Sequence, residues 1–325
     1  MNMNKTAAVL IVSFLCAPLA LADTLLSPGE TGTQFLVMPL SARSIALGGG
    51  LAGLAGEIQG FECNPAVLPT LKDHQASFSR SQHFQDSNLT SFAVALKAVK
   101  RIGFGIQYRR FGVTDTGRES SGFETGEDIQ VYDNGFQAGT GYGFFDGKLS
   151  LGYSVEYMRR FIYRYTAISY AHNVGLMADF FKGKHTFGVS LQNLGEPVTF
   201  ISANEPLPAV FRAGGAHRFM ERDVDMFEDA GVFAQPVWTA VWEIDQFRDQ
   251  KRLGGSAGLE WRPFEMMVFR LGAERRPEFQ VSGGLGFQWK SLQLDYAAQS
   301  RPEVGLAHTV SLAVRWSSID FDLGD

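Results

Sequence analysis

From about residue 75 onward, apolar and polar residues alternate within short segments that turn residues separate. Residues 308–316 show the pattern best, since every second residue from Val310 to Trp316 is apolar and those between them are polar, small or charged. Successive side chains of a β-strand point to opposite faces, so each segment predicts a strand with one apolar and one polar face. About 14 such segments in series are typical of a transmembrane antiparallel β-barrel, with an apolar outer face and a polar lumen.

Besides residues 308–316, the clearest segments are residues 91–97, 101–109, 148–159, 252–261, 279–289 and 292–296. Weaker candidates are residues 75–81, 135–145, 168–181, 185–193, 207–219, 236–245 and 266–274. Tight turns are predicted at residues 99–100, 146–147, 182–184 and 290–291, and longer loops at residues 112–133, 195–206 and 301–307. Bacterial outer-membrane barrels have short periplasmic turns and long external loops, which this alternation fits. Residues 220–235 are the exception, because they are long but fall on the side of the short turns.

The first 22 residues have the composition of a signal peptide, which predicts export and, together with the barrel pattern, a location in the bacterial outer membrane. Lys5 precedes an apolar run over residues 7–19, and the small-residue pattern of residues 20–22 predicts cleavage before Asp23. The run is too short for a stable membrane span. A second interpretation is a lipoprotein with Cys16 as the lipidated residue, although the residues before it are a poor context for lipidation.

The overall charge and the cysteine content exclude some classes of protein. Lysine and arginine total 29 against 34 acidic residues, for a net charge of −5, which argues against nucleic acid as a partner. Mean hydropathy is close to zero, as expected both for a soluble protein and for a barrel. Cleavage would leave Cys63 as the one cysteine, so no internal disulfide is expected.

No motif in the chain supports catalysis, a metal or a cofactor. Residues 254–258 match the G-x-S-x-G pattern of hydrolases, but that chemistry needs a strand-to-helix turn and Ser256 lies within an alternating strand. The six histidines lack metal-ligand spacing, and the glycines after Gly48 are not followed by the Lys-Ser/Thr of a phosphate loop. We therefore expect a protein that is not an enzyme.

The polar faces of the predicted strands carry charges of both signs, which the alternation directs into the lumen. A charge facing lipid costs about 2–4 kcal/mol near the bilayer midplane. Two interpretations stay open, namely ion pairs that fill a closed lumen and a charged transport pathway. The residues concerned are Arg101, Arg109, Glu156, Asp179, Arg212, Arg218, Arg252, Glu260, Arg270, Glu274, Asp295 and Arg315.

Several short motifs resemble the FadL fatty-acid transporters and, more closely, the related PorV/PorQ family of outer-membrane proteins. They lie at residues 34–36, 42–43, 47–49, 64–68, 187–195, 206–208, 294–297, 305 and 308–316. The resemblance spans essentially the whole mature chain, and its specificity lies in the order and spacing of the motifs. The chain departs from the family at Val67, where glycine is usual, at residues 59–61, where an acidic pair is often found, and at the nine residues after Trp316.

This resemblance implies a barrel of about 14 strands with an N-terminal hatch or plug inside it. The Gly- and Ala-rich residues 23–71 lack strand alternation, and a barrel of this size is too wide for its own side chains to fill. The chain then divides into a signal peptide (1–22), a hatch (23–71), a barrel (72–316) and a tail (317–325). The alternative interpretation of Asn64-Pro65 is a simple turn. Hatch residues expected near a ligand pocket are Phe35, Leu36, Leu47, Leu51, Leu54, Phe61, Asn64 and Pro65.

Two functions follow from the resemblance. The first is binding or transport of hydrophobic small molecules such as long-chain fatty acids, by a barrel whose surroundings are outer-membrane lipid. The second is a PorV-like barrel that holds or shuttles exported proteins in type IX secretion, with residues 112–133 as the binding surface. A third interpretation, independent of the resemblance, is a soluble secreted β-sandwich or propeller.

Overall fold

The computed structural model describes residues 33–82, 87–99, 101–118, 124–200, 203–225, 232–248, 253–276, 278–301 and 305–317. The predicted signal peptide and all but the first residue of the predicted tail lie outside these ranges. Among the described residues, no helix is long and apolar enough to cross a membrane.

Fourteen strands form one closed antiparallel barrel, which confirms the predicted fold and excludes a sandwich or propeller. The barrel closes where the first strand pairs with the last, from His74 opposite Trp316 to Gln82 opposite His308. A separate two-stranded hairpin, β8 (Val198–Phe200) and β9 (Ala203–Glu205), lies between the seventh and eighth barrel strands. The barrel strands are β1 (His74–Gln82), β2 (Asn88–Val99), β3 (Ile102–Arg118), β4 (Glu124–Phe144), β5 (Leu149–Ile162), β6 (Tyr165–Phe180), β7 (His185–Gly195), β10 (Val210–Asp225), β11 (Val232–Phe247), β12 (Gly254–Trp261), β13 (Met267–Arg275), β14 (Phe279–Trp289), β15 (Leu292–Arg301) and β16 (Gly305–Trp316).

The two faces of the wall follow the predicted alternation. Phe104 and Leu312 are 48% and 43% exposed on the outside, whereas Arg109, five residues after Phe104, is 3% exposed and faces the lumen. Aromatic side chains pack together on the wall, as where Trp261, the last residue of β12, stacks on Trp238 of the neighbouring β11 with ring centroids 5.4 Å apart. The outer face is therefore a continuous apolar surface of the kind that lipid covers.

The barrel has two different ends. We call the end where β1 begins and β16 finishes the turn end, and the opposite rim the loop end. At the turn end, β4–β5, β6–β7 and β14–β15 are joined by connections of two to four residues, as the sequence predicts.

Two predicted connections are instead largely strand. Residues 112–133 were expected to form a loop, but β3 and β4 pair as far as Arg118 opposite Glu124. Residues 220–235 likewise continue the β10–β11 ladder as far as Asp225 opposite Val232. Beyond the apolar band a strand has no face to bury, so its alternation disappears while its backbone ladder continues. The expectation of loops failed at these two places for that reason.

Residues 33–71, which we call the lumenal segment, form short helices against the inner wall. They are three 3₁₀-helices, Gln34–Val37, Ile58–Glu62 and Pro65–Thr70, and the α-helix α1, Ala42–Ala46. The Ser41 side chain caps α1 by accepting from the Ser44 amide at 3.1 Å. The segment runs through the barrel from the loop end to the turn end, where Leu71 leads into β1.

Glycines on the inner wall let the lumenal segment approach the strand backbones closely. A Cβ at Gly103 of β3 would overlap the carbonyl oxygen of Leu68, and one at Gly188 of β7 would overlap that of Ala52. Side chains at these positions would therefore push the segment off the wall. The abundance of glycine on inward faces has this packing cause.

Candidate functional site: the lumen of the barrel

Ion pairs attach the lumenal segment to one side of the wall. The guanidinium of Arg43 contacts Glu57 Oε2 at 3.0 Å and Glu260 Oε2 at 2.9 Å, and its side chain is 5% exposed. Arg315 of β16 binds the same Glu57 Oε2 from the wall at 2.6 Å. Two carboxylates and two arginines thus tie α1 and the chain before Ile58 to β12 and β16.

The network continues around the wall through β11 to β15. Arg270 Nε donates to Glu260 Oε2 at 2.7 Å, and its Nη1 donates to Asp295 Oδ1 at 2.6 Å. Separately, Glu243 Oε1 accepts from Arg212 at 2.6 Å and from Arg276 at 2.9 Å. Because cations and carboxylates alternate along this wall, the geometry favours ion-paired filling of the lumen over an open charged pathway.

Two buried carboxyls of the lumenal segment have shifted pKa values of opposite sign. Burial alone would raise the pKa of Glu57, but Arg315 and Arg43 outweigh it and hold the value at about 2. Burial raises the pKa of Glu62 to about 7, although hydrogen bonds from Ser44 Oγ and the Leu40 amide favour the charged form. A carboxyl with this pKa changes its charge near neutral pH.

Asn64 attaches the other side of the segment to the wall. Its Nδ2 donates to the carbonyls of Ala52 at 2.9 Å and Leu176 at 3.1 Å, while its Oδ1 accepts from the Ala66 amide at 2.9 Å. The last bond caps the 3₁₀-helix in which Pro65 is the first residue. Asn64-Pro65 is therefore a helix start that also binds β6, and more than a simple turn.

An apolar cluster occupies the lumen at the loop end, and we call it the loop-end cluster. It joins the start of the lumenal segment, the inner wall of β3, β5 and β6, and the β8–β9 hairpin with the chain that follows it. Its buried members are Phe35, Leu36, Met158, Ala167, Ala171, Val198 and Leu207, and Met38, Phe111 and Phe200 pack against them half-buried. An apolar cluster at the mouth of an otherwise polar lumen is a feature that alternation along the strands does not predict.

One arginine fastens the hairpin over the loop-end cluster. Arg160 of β5 donates to Glu205 of β9 at 2.5 Å and to Asp133 of β4 at 2.9 Å. Its side chain is 18% exposed and that of Glu205 is 38% exposed. The contact is thus partly solvated and can open at lower cost than the ion pairs deeper in the lumen.

A β-bulge interrupts the wall beside the cluster. The register between β6 and β7 shifts between His172 and Val174, and Asn193 has a left-handed backbone with φ of 58°. The Asn193 amide donates to Asn173 Oδ1 at 2.8 Å, which satisfies the donor that the shift frees from the ladder. The wall is held here by a side chain in place of a regular backbone pair.

Little free space lies next to the segment where it faces β10. A cleft of about 10 Å³ lies between it and β10, bordered by Leu36, Met38, Glu62, Cys63 and Arg212. That volume holds about one water molecule. An apolar ligand therefore needs side chains to move before it can enter this cleft.

The predicted pocket residues are buried, but the structure distributes them over three places. Phe35 and Leu36 belong to the loop-end cluster. Leu47, Leu51 and Leu54 pack with Ala216 and Val241 of the inner wall. Phe61 packs towards the turn end with Leu68. They do not line one pocket, because consecutive parts of the segment contact the wall at different heights.

Most of the predicted lumenal charges face inward and are paired, and two need comment. Arg101 is not lumenal: it lies in the turn before β3, its side chain is 50% exposed, and it binds Asp146 at 2.9 Å. Side chains alternate between the two faces only within a strand, so the alternation gave the wrong direction for a residue in a turn. Arg252 lies outside the described residues. Those that face inward are the buried Arg109, Glu156, Arg212, Glu260, Arg270, Glu274 and Asp295 and the half-buried Asp179, Arg218 and Arg315.

Some lumenal residues were missed from the sequence. Glu243 and Asp245 of β11 are 2% and 0% exposed and have the inward parity of that strand, so alternation could have found them. Glu57 and Glu62 lie in the irregular lumenal segment, where no periodicity marks them. Arg276 follows β13 and reaches back to Asp245 at 2.5 Å, a contact that only the tertiary structure creates.

Among the described residues, no group of three or more histidine, cysteine, aspartate and glutamate side chains could hold a metal ion. No family model and no curated protein matches the chain in sequence. Similarity is found with solved structures.

The toluene transporter TbuX of Ralstonia pickettii has a TM-score of 0.60 and 14% identity, covering 87% of this chain and 100% of that one. A mutant of TodX, a monoaromatic hydrocarbon channel, has a TM-score of 0.59 and 12% identity, covering 85% and 99%. A FadL homologue of Pseudomonas aeruginosa has a TM-score of 0.54 and 10% identity, covering 86% and 99%. The chain has the fold of these FadL-type channels. Nothing in these likenesses bears on the PorV/PorQ family.

Proposed function

We propose that this protein is an outer-membrane channel for hydrophobic small molecules, with the lumenal segment as its hatch. The observation that carries the proposal is the loop-end cluster, where hatch, wall and hairpin meet through apolar side chains. An apolar compound that replaces one of these side chains gains the free energy of leaving water. Two of the similar structures are described as a toluene transporter and a monoaromatic hydrocarbon channel, which supports this class of substrate.

We infer further that neutral compounds are preferred over long-chain fatty acids. The arginines that border the loop-end cluster are already engaged, Arg109 with Glu156 at 3.0 Å and Arg160 with Asp133 and Glu205. A fatty-acid carboxylate would have to displace one of these partners or be buried without a counter-ion. Removing one partner of a buried ion pair costs roughly 3–5 kcal/mol.

The proposed route begins with movement of the β8–β9 hairpin, since its link through Arg160 is the more solvated one. The compound then occupies the loop-end cluster and competes with Phe35 and Leu36 for the wall. Displacement of the hatch opens the lumen towards the turn end. The β6–β7 bulge offers a second exit, sideways into lipid, because Asn173 replaces regular backbone pairing there.

The test is uptake of radiolabelled toluene and oleate by cells that lack their own channels and express this protein. We expect toluene uptake above background and weaker oleate uptake. Ala171 lies in the loop-end cluster and is 0% exposed, whereas Tyr170 on the same strand is 55% exposed on the outer face. Ala171→Phe overfills the cluster, at about 1–3 kcal/mol, and should lower toluene uptake, whereas Tyr170→Phe should not.

Folding of each variant is checked by the shift in electrophoretic mobility that intact barrels show when boiled. Equal toluene uptake by the two folded variants would contradict a role for the cluster. Deletion of residues 23–71 tests the hatch, since a hatchless barrel should also admit small polar solutes. A deletion variant that behaves as the intact protein would refute gating.

The second hypothesis, holding exported proteins at the cell surface, is favoured by one observation. The β3–β4 ladder continues past the last β5 pair, Val131 opposite Ile162, and so forms a ribbon beyond the loop-end rim. Shortening this ribbon should abolish capture of exported proteins if that is its role, and should leave toluene uptake unchanged. Loss of toluene uptake alone would assign the ribbon to the channel.

A further inference from the structure

The lysines of this chain are distributed very unevenly over the barrel. Every lysine in the described part of the chain lies at the turn end, and all of them except the half-buried Lys97 are exposed. The exposed ones are Lys72, Lys148, Lys182, Lys184 and Lys290. Three connections carry four of them, β4–β5, β6–β7 and β14–β15, so the positive charge is spread around the rim and not gathered on one strand.

Each of these three connections also has an exposed aromatic side chain in it or directly before it. Phe145, Phe181 and Trp289 are 41%, 76% and 57% exposed. Phe145 precedes Lys148 by three residues, and the other two directly precede Lys182 and Lys290. Aromatic rings prefer the interface between the hydrocarbon and headgroup layers of a bilayer. The lysine side chains therefore reach the level of the headgroups.

The backbone conformation of these turns is strained. Phe145, Phe181 and Lys290 have φ values of 53°, 57° and 50°, in the left-handed region that favours glycine and asparagine. A non-glycine residue in such a region is strained by roughly 1–3 kcal/mol. Tight turns alone would be more stable with glycine here, so the strain points to a use for the aromatic and ammonium groups themselves.

Two acidic groups, Asp146 and Asp179, lie in or beside these three connections. Asp146 is bound by Arg101, and Asp179 accepts from the Gly183 amide at 2.5 Å. Both carboxylates are thus already engaged, that of Asp146 by the neighbouring turn before β3 and that of Asp179 by its own turn. The lysines remain the dominant exposed charge on these three connections.

We propose that these three turns form a binding rim for anionic phospholipid headgroups. The lysine ammonium groups bind the lipid phosphates while Phe145, Phe181 and Trp289 insert beside the acyl chains. The rim would hold the turn end in a leaflet that contains anionic phospholipid and would set the orientation of the channel. This inference rests on the proposed membrane location and goes beyond it, because it names a lipid and one end of the barrel.

The native tryptophans make the proposal testable, because all five lie on the half of the barrel towards the turn end. They are Trp238, Trp242, Trp261, Trp289 and Trp316. The purified full chain is reconstituted in phosphatidylcholine bilayers with a minor fraction of lipid whose brominated chains quench tryptophan fluorescence on contact. Brominated phosphatidylglycerol is compared with brominated phosphatidylcholine at equal mole fraction.

We expect phosphatidylglycerol to quench more strongly than phosphatidylcholine, and high salt to remove the difference. One lysine near an anionic bilayer contributes about fivefold to lipid affinity, so neutralising several should weaken the preference at least about tenfold. The variant is Lys148→Gln/Lys182→Gln/Lys184→Gln/Lys290→Gln. The control, Arg159→Gln/Arg164→Gln, removes exposed charge at the loop end and should keep the preference.

Equal quenching by the two lipids in the wild-type protein would overturn the proposal, and so would an unchanged preference in the lysine variant. Loss of the preference on adding inorganic phosphate at constant ionic strength would show a site for free phosphate and would also overturn it. Absence of quenching by either lipid means that the chain does not enter bilayers, which would refute the proposed membrane function as well. Toluene uptake by the lysine variant separates the two proposals, since the channel should work without the rim.

Discussion

Arg43 offers the sharpest test of how the lumenal segment is held. Arg43→Met keeps the length and apolar stem of the side chain but removes the charge that binds Glu57 and Glu260. Breaking a buried ion pair from one side costs roughly 3–5 kcal/mol. Glu260 keeps Arg270 at 2.7 Å, and Glu57 keeps Arg315 at 2.6 Å, so neither carboxylate is left alone. The cost should therefore lie at the lower limit, about 3 kcal/mol.

A destabilisation of about 3 kcal/mol raises the displaced population of the segment about 150-fold. Hydrogen exchange of the α1 amides, followed by mass spectrometry in detergent, measures that population directly. Protection of residues 42–47 should fall by about this factor, while protection of the barrel strands should stay unchanged. Ion conductance through single channels in planar bilayers should rise in parallel, because a displaced segment unblocks the lumen.

Arg101→Met is the matched control, because it removes an arginine that binds a carboxylate at a similar distance, that of Asp146 at 2.9 Å. Both side chains of this pair are solvated, since that of Arg101 is 50% exposed and that of Asp146 is 87% exposed. An exposed pair of this kind contributes at most about 1 kcal/mol. If Arg43→Met and Arg101→Met lowered the protection of α1 equally, the ion pairs would not hold the segment. A fall in protection throughout the barrel would mean that Arg43 stabilises the whole fold instead.

Three further predictions concern other contacts. The folded pKa of Glu62, about 7, lies above its ordinary value of 4.5, so its stabilising effect is complete below pH 4.5 and is lost as the pH rises through 7. In the wild-type protein, the free energy of opening that hydrogen exchange reports for the segment should therefore fall by about 3 kcal/mol as the pH rises through that range. Glu62→Gln should remove this pH dependence, whereas the control Glu265→Gln should keep it. Gly103→Ala should destabilise the packed segment by about 1–3 kcal/mol, because the new Cβ overlaps the Leu68 carbonyl oxygen. Gly112→Ala on the same strand has room for its Cβ and should not. Equal midpoints of urea unfolding for the two variants would contradict the packing argument. Arg160→Met should increase exchange in residues 198–205 by releasing Glu205, whereas the exposed Arg159→Met should leave it unchanged.

Strand number and side-chain direction could be predicted from the sequence because a barrel wall meets different media on its two faces. Lipid outside and polar contacts inside require apolar and polar residues to alternate, as Phe104 and Arg109 do on β3. A segment that packs inside was implied by the family resemblance, and the glycine content and absence of alternation in residues 23–71 agreed with it; the structure describes residues 33–71 of that segment. Local sequence was sufficient for strand number and side-chain direction, because each strand separates the same two media independently of its neighbours.

The arrangement inside the lumen could not be predicted in this way. Which carboxylate Arg43 meets depends on strand register and on where the lumenal segment touches the wall. The continuation of β10 and β11 past the rim, and the gathering of Phe35 with Val198 of the hairpin, also involve residues far apart in the chain. Contacts of this kind produce no periodic pattern of apolar and polar residues in the sequence. They join elements that are far apart in the chain and that meet only when the sheet closes into a barrel.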